Sequence, residues 1–463
     1  MPRPEPQKPE AACDLRAALA SLRGPATPGL FHVKTGLTPD QACTDFAYEH
    51  AGLPARPRPG AEPAVLYKQR KGPDLLLGLY GCEARLRGWL PALAGRAIPQ
   101  AVRSLSPLPP RSAPSDHIEA ALDLTALPIP QITPRDAGPY ITMGFVMAGD
   151  TGPSLALSAH RMLVLGKDRL GISMLPSRAL RHLAKSAHAN GRDLPVSINI
   201  GVPPAVAVAS ATATAHLPEE FDKLSLAGAL ACEPVSLAHG DAPFLPQSEY
   251  ILHGRLTANT APETLKDRPK GVALPEFLGY DGHAGPDLLV IDVDRITHRP
   301  NALLQSCIGP GKEQSSILAL GGVLAIALAL RTQGGLSQIA DLRYSAAGGG
   351  MLLLYVALQP GAAAQLDLAQ LAKRLIGVMP FTKTIVFTDD DIDLSSDHDV
   401  LWAMTTRCTP ARDTHAIHGL PPLRMDPSQC GDWEANGGTA PCRSWINATV
   451  PEALRTRTRR SFA

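Results

Sequence analysis

Fourteen consecutive residues, Ile317 to Leu330 ("ILALGGVLAIALAL"), carry no charged or hydrogen-bonding side chain. Such a run must be buried against something. A bilayer crossing needs about 20 apolar residues, and Gly321-Gly322 interrupts this stretch mid-chain. The run is therefore expected to be a buried helix, and the chain on either side must supply the walls around it.

A chain of 463 residues is long enough for two to four domains. Upstream of the apolar run the patterns are strand-rich. "GPYITMGFVMAG", "SLALSAHRMLVLGKDRLGISML", "EYILHGRL" and "DLLVIDVDRITHR" alternate as strands do. "SRALRHLAKSAHANG" is an amphipathic helix stopped by Asn190-Gly191, and "FDKLSLAGALA" is a shorter one. "DLPVSINIGVPPAVAVASATA" reads as a strand, a Pro-Pro turn and a small-residue helix. Nearer the N-terminus, "DLRAALASLR" is helical, and "AVLYKQ" and "DLLLGLYG" are strands. Ser104 to Ser115 is a Pro-punctuated linker, and residues 1–12 are expected to be disordered. Downstream, "GMLLLYVALQ", "DLAQLAKRLIGV", "KTIVFTDDDIDL" and "HDVLWAMTTR" read as strand, helix, strand and helix.

Several functions are disfavoured by composition. A net charge of +1 gives no footprint for nucleic acid. The eight cysteines are scattered without a CxxC pair, so a zinc site is not expected. There is no GxGxxG and no Gly-x-Ser-x-Gly. The N-terminus lacks an apolar signal core, so a cytoplasmic protein with no membrane span is expected.

In order along the chain, "LPIPQITPRDAGPYITMG", "LPVSINIGVPPAVAVAS", "LSLAGALACEPVSL", "SEYILHGRL", "LPEFLGYDG", "KTIVFTDDDIDLSSDHDVLWAMTTR" and "INATVPEALR" resemble the UbiD family of prenylated-FMN-dependent decarboxylases. The resemblance covers roughly residues 120–455. It implies an α/β (α+β) architecture: an N-terminal α/β unit over 13–115, a central split β-barrel flavin-binding domain over 116–310, a linker helix over 311–335, and a C-terminal α/β oligomerisation domain over 336–463. It implies decarboxylation of an aromatic, heteroaromatic or α,β-unsaturated carboxylic acid through a covalent substrate–prenylated-FMN adduct. A flavin prenyltransferase would supply the cofactor, and a homodimer or larger assembly is implied. The alternative is a non-catalytic UbiD-like flavin-binding or subunit protein.

Such chemistry needs a group that orients the carboxylate, a proton donor and an anchor for the flavin phosphate. Arg161, in "SAHRML", resembles the family's arginine, and its guanidinium fork suits a carboxylate; an ordinary strand-end arginine would look the same. Glu276 resembles the second glutamate of the family's Glu-Gly-Pro-x-x-Glu pattern. Walled by Leu274, Pro275 and Phe277, it is expected to be desolvated and to stay protonated near neutrality as a general acid or ion-pair partner; a loop carboxylate in water would look the same. The first glutamate of that pattern is missing from its place, which falls on Lys270 or Gly271. Either Glu263, in "TAPET", replaces it beyond the insertion "TLKDRPKG", or that carboxylate is gone.

The phosphate anchor departs further. Many relatives hold the flavin phosphate through a divalent metal on Asn, His and Glu. Those positions fall on Ala156, on Arg178 or Ala179, and on Lys223. None suits Mg2+ or Mn2+, which take oxygen-rich ligation, so no metal ligand is expected. Lys223 and Arg178 either neutralise the phosphate directly or are solvated helix-face charges. Ser158, Ala159 and His160 beside Arg161, with Gly201, Pro203 and Ser210 of the Pro-Pro turn and small-residue helix, are further cofactor-binding candidates. Lys383 resembles a family lysine near the phosphate. The acidic run Asp389-Asp390-Asp391-Asp393 is expected to cap a strand-end turn.

Overall fold

Alternating apolar side chains let a strand bury one face, and six such segments solve their edges by closing on one another. In the computed structural model these are Tyr140–Ala148, Ala156–Val164, Arg169–Ile172, Leu194–Ile200, Tyr250–Ala261 and Leu288–His298, here β1 to β6. β1 pairs antiparallel with β2 and β4, and β2 with β3. β3 pairs with β6, β6 with β5, and β5 with β4. The result is a closed six-stranded barrel. Val146, Met162, Leu170, Ile198, Leu252 and Ile291 are buried in one cluster with their neighbours. Truncating one such leucine or isoleucine to alanine costs about 2–5 kcal/mol. The structure describes residues 13–24, 29–51, 61–150, 152, 154–266, 271–276, 278–423, 425–429, 431, 435–438, 441–458 and 460. The expectation of disorder over 1–12 lies outside them.

The described residues divide into two compact units: those within 1–94, 106–211 and 220–317 form one, and those within 95–105, 212–219 and 318–463 the other. In the first, the barrel is accompanied by a four-stranded sheet in the order Phe31–Thr35, Ala64–Lys68, Asp74–Leu77, Leu303–Gln305. Its last strand, running parallel to Asp74–Leu77, comes from beyond the barrel. Asp14 caps the helix Leu15–Ser21, and Arg16 on that helix holds the buried Glu249 through Nε and Nη2 at 2.7 and 2.9 Å.

The apolar run lies inside the helix Lys312–Gln333, which is longer than the run because polar residues extend both ends. At 22 residues it is long and apolar enough to cross a membrane by length and composition, but 83% of its most apolar window is buried inside the fold. Burial, not shortness, marks it as a core helix. Glu313 in its first turn accepts from the Gly78 and Tyr80 amides at 2.9 and 3.0 Å. Burial pushes that carboxyl up to about 7. Gly322 has a packing reason, since a Cβ there would come within 2.8 Å of the Tyr344 ring.

In the second unit a five-stranded sheet runs in the order Ile339–Tyr344, Leu353–Leu358, Thr384–Asp389, Arg443–Ala448, Thr414–Ile417. Its three middle strands are parallel. The helices Leu368–Val378 and Asp397–Arg407 complete the α/β pattern. The acidic run does more than cap. Asp389 and Asp391 both pair with Arg407, and Asp390 pairs with Arg455. Asp389 also accepts from the Val450 amide, and Asp393 from the Ser395 amide.

Candidate active site

Arg161 sits on β2, and opposite it β1 carries one extra residue. Ile141 faces Met162 and Gly144 faces His160, so Thr142 and Met143 together oppose Arg161. A bulge of this kind re-aims side chains. β5 likewise loosens before it ends: Leu256 faces Ile291 but Thr260 faces Leu289. The chain leaving β5 then brings Glu263 back over the barrel, and the hairpin Val272–Pro275/Asp281–His283 brings Glu276. The Glu276 amide donates to the Tyr280 carbonyl at 2.8 Å, closing the hairpin turn.

Three segments meet on the Arg161 guanidinium. Its Nε lies 2.8 Å from Glu263 Oε1, and its Nη2 donates to Glu263 Oε2 at 2.8 Å and to the His283 carbonyl at 3.0 Å. Its Nη1 donates to Glu276 Oε1 at 3.1 Å. A guanidinium carries five N–H donors; three are hydrogen-bonded here, the Nε–H only lies within ion-pair distance of Glu263, and one Nη1 hydrogen is left without a partner among the described residues. Burial opposes the charge, but Glu263 and then Glu276 hold Arg161 above the ordinary arginine value.

The two carboxylates differ in setting. Glu263, one of two alternatives in the sequence, is fully buried. It accepts additionally from the Tyr140 hydroxyl at 3.2 Å and the Gly285 amide at 2.9 Å. Burial and then Glu263 push the Tyr140 phenol well up. Glu276 corrects the expectation of a dry acid, since its side chain is 28% exposed; it takes the ion-pair alternative, on Arg161. Leu274 is buried and Pro275 only partly so, while Phe277, the third expected wall, lies outside the described residues. The hairpin's turn and backbone hydrogen bonds, rather than apolar walls, set the position of Glu276.

Other members of this site were not legible in the sequence. Tyr140 shows only as a strand aromatic, and His283 contributes its backbone. Gly282 is required by contact, because a Cβ there would meet the Leu274 carbonyl at 2.3 Å, beside Glu276 and Arg161.

A second cluster gathers at the start of β2. Lys223, the first residue of the helix Lys223–Ala231, is buried. Its Nζ donates to the Leu157 and Ser210 carbonyls at 2.8 and 2.7 Å. Burial and then Arg178 pull the Lys223 ammonium down to about 7. This corrects the alternative of a solvated helix-face charge. Arg178, at the N-cap of the helix Ala179–Ala189, is half-buried, and burial lowers it too. His160 is buried, with Nδ1 3.1 Å from the Ser173 carbonyl and Nε2 2.8 Å from Ser158 Oγ. Nδ1 therefore carries the hydrogen and Nε2 accepts. Burial, followed by the charges of Arg178 and Lys223, lowers His160 to about 4.

Ser158 joins this cluster through His160, and Ser210 joins it through its carbonyl; the Ser210 hydroxyl is turned back to Ala207. Ala159 is exposed on β2. Gly201 takes φ +76° against the Glu249 side chain, and Pro203 occupies the N-cap position of the helix Pro204–Ser210; neither is among the hydrogen-bond partners given for Lys223 and His160. Lys383 is placed in the second unit, where its Nζ lies 2.6 Å from both Asp426 and Ser428.

Two family models match the chain. The 3-octaprenyl-4-hydroxybenzoate carboxy-lyase Rift-related domain (UbiD) matches residues 109–313, and the C-terminal domain of the same carboxy-lyase matches residues 319–439. The gallate decarboxylase of Lactiplantibacillus plantarum is 33% identical over 306 residues, covering 65% of this chain. That match spans 62% of the relative, less than two thirds of its length. The apo structure of a 3,4-dihydroxybenzoic acid decarboxylase from Enterobacter cloacae superposes with a TM-score of 0.84 at 29% identity, covering 97% of this chain and 96% of that one. The enzyme HmfF of Pelotomaculum thermopropionicum, in complex with FMN, gives 0.77 at 25% identity with 96% of each chain covered.

Proposed function

The chain belongs to the UbiD family of carboxy-lyases, and on that premise we propose that it removes CO2 from an aromatic, heteroaromatic or α,β-unsaturated carboxylic acid with the help of prenylated FMN. The observation that carries this reading is the Glu263–Arg161–Glu276 arrangement, in which one guanidinium is held from two sides and still has a free N–H. The flavin, when bound, supplies the electron sink that loss of CO2 from an unsaturated carbon requires.

The chain's own residues divide the remaining work. Glu263 keeps the Nε/Nη2 side of Arg161 fixed, because it is buried and also held by Tyr140 and Gly285. The Nη1 side faces the partly exposed Glu276, and there the substrate carboxylate takes the free hydrogen and orients on Arg161. With the substrate carboxylate on Arg161, Glu276 is released from its ion pair, takes up one proton from water and delivers it to the carbon that has lost CO2. Its exposure lets it recover that proton from water between turnovers. Lys223 and Arg178 suit the flavin phosphate, being two cations with no carboxylate among their hydrogen-bond or ion-pair partners in the described residues.

The test is protein co-expressed with a flavin prenyltransferase, assayed for CO2 release on benzoates bearing hydroxyl groups, heteroaromatic acids and cinnamates. Release from at least one class, abolished in Arg161→Ala, is expected. Bound modified flavin with no turnover on any class would overturn the proposal.

A further inference from the structure

A buried cation without a counter-charge is costly, and a functional site is where such a cost is tolerated. Lys223 stands in that position, and the half-buried Arg178 shares it in part. Each lies at the N-terminal end of a helix, the end whose dipole repels cations. Lys223 is buried and meets only backbone carbonyls, Leu157 O and Ser210 O. An ammonium has three hydrogens, so one has no partner among the described residues. The Arg178 guanidinium has no hydrogen bond or ion pair among them at all. Neither has an acidic neighbour among the described residues that offsets burial, and the nearby His160 is kept neutral by burial and by the two cations themselves.

In the second unit a cavity of about 320 Å³ is lined by Arg407, Arg412 and Arg455, each matched by an aspartate. Charge is balanced in that cavity and unbalanced at Lys223.

A divalent metal does not fit the first-unit cluster. Ala156 has no donor atom, and Arg178 and Lys223 bring positive charge where a metal needs anionic oxygen. We propose that Lys223 and Arg178 form a metal-independent site for a phosphomonoester dianion, the phosphate of the flavin, in which the carbonyl-clamped Lys223 ammonium stands in for the metal ion. This inference rests on the flavin reading above. A bound dianion favours the charged form of Lys223, and the two positive charges then match it in number. The two carbonyl bonds fix the ammonium as a point charge, with its third hydrogen left for a phosphate oxygen. A lysine that merely ties β2 to the helix Pro204–Ser210 would make the same carbonyl bonds but would be indifferent to phosphate.

The test compares FMN with riboflavin, which lacks the phosphate, binding to the apo protein by flavin fluorescence in EDTA or in Mn2+. Wild type is expected to bind FMN about 100-fold more tightly than riboflavin, equally in EDTA and Mn2+, from two charge-assisted contacts of roughly tenfold each. Lys223→Met and Arg178→Ala should each cut that ratio about tenfold, the size of one such contact, with riboflavin affinity unchanged. FMN binding that requires Mn2+, or a ratio unchanged in the variants, overturns the inference and leaves the flavin reading standing. Failure of folded protein to bind either flavin even with Mn2+ overturns both. If Lys223→Met does not fold, Arg178→Ala decides alone, since it removes a side chain that makes no hydrogen bond among the described residues.

Discussion

Glu263 and Glu276 hold the same guanidinium, yet replacing each by glutamine should have separable consequences. The Glu263 carboxylate is fully buried, meets Arg161 at 2.8 Å on two nitrogens and accepts from Tyr140 and Gly285. Breaking a buried ion pair costs about 3–5 kcal/mol. Arg161 would retain Glu276 and the His283 carbonyl, so Glu263→Gln belongs at the lower end, about 3 kcal/mol. At roughly 2–4 °C per kcal/mol for a unit of this size, the apo protein should melt about 6–12 °C lower. Glu276 is 28% exposed and forms a single contact at 3.1 Å. Its half of the network is therefore worth about 0–1 kcal/mol, and Glu276→Gln should melt close to wild type. Turnover reverses the emphasis: loss of the proton donor should lower kcat about 10²–10⁴-fold. The assay pairs thermal unfolding of the apo variants with CO2 release by flavin-loaded protein. Equal melting shifts would refute the assignment of Glu263 as the buried anchor. Undiminished kcat in Glu276→Gln would refute its role as proton donor.

Three further outcomes follow from the same geometry. Arg161→Lys keeps the charge but loses the fork that meets Glu263, Glu276 and His283, so kcat/KM should fall by about two orders of magnitude, as expected when a bidentate contact is lost; steady-state kinetics at near-wild-type rates would contradict this. Gly282→Ala places a Cβ 2.3 Å from the Leu274 carbonyl, so the hairpin must shift, and the variant should show a raised KM for the acid with flavin retention intact; loss of flavin instead would argue against a local effect. Lys223 titrates at about 7 in the fold against 10.5 ordinarily, so between those values the unfolded chain binds the extra proton. Apo stability should therefore gain from this group as pH rises through that window. Lys223→Met should remove the gain, and denaturant unfolding from pH 6 to 10 measures it.

Much of the architecture was legible without coordinates. The period-2 runs became β1 to β6, the amphipathic segments at 179–189 and 368–378 became helices, and the uncharged run became a core helix. These patterns are local, because a strand or helix declares in its own few residues which face it buries. Arg161 and the cations at positions 178 and 223 were readable for a related reason: residue identity alone states charge and donor geometry. What a sequence cannot carry is which distant groups share a dielectric environment. Glu263 reaches Arg161 across 102 residues and Glu276 across 115. Only the bulged strands and the folded-back hairpin made the first carboxylate dry and left the second wet. The same holds for Lys223. Its helical position read equally well as a solvated face, until the Leu157 and Ser210 carbonyls closed over it and left a buried charge with no acid to answer it.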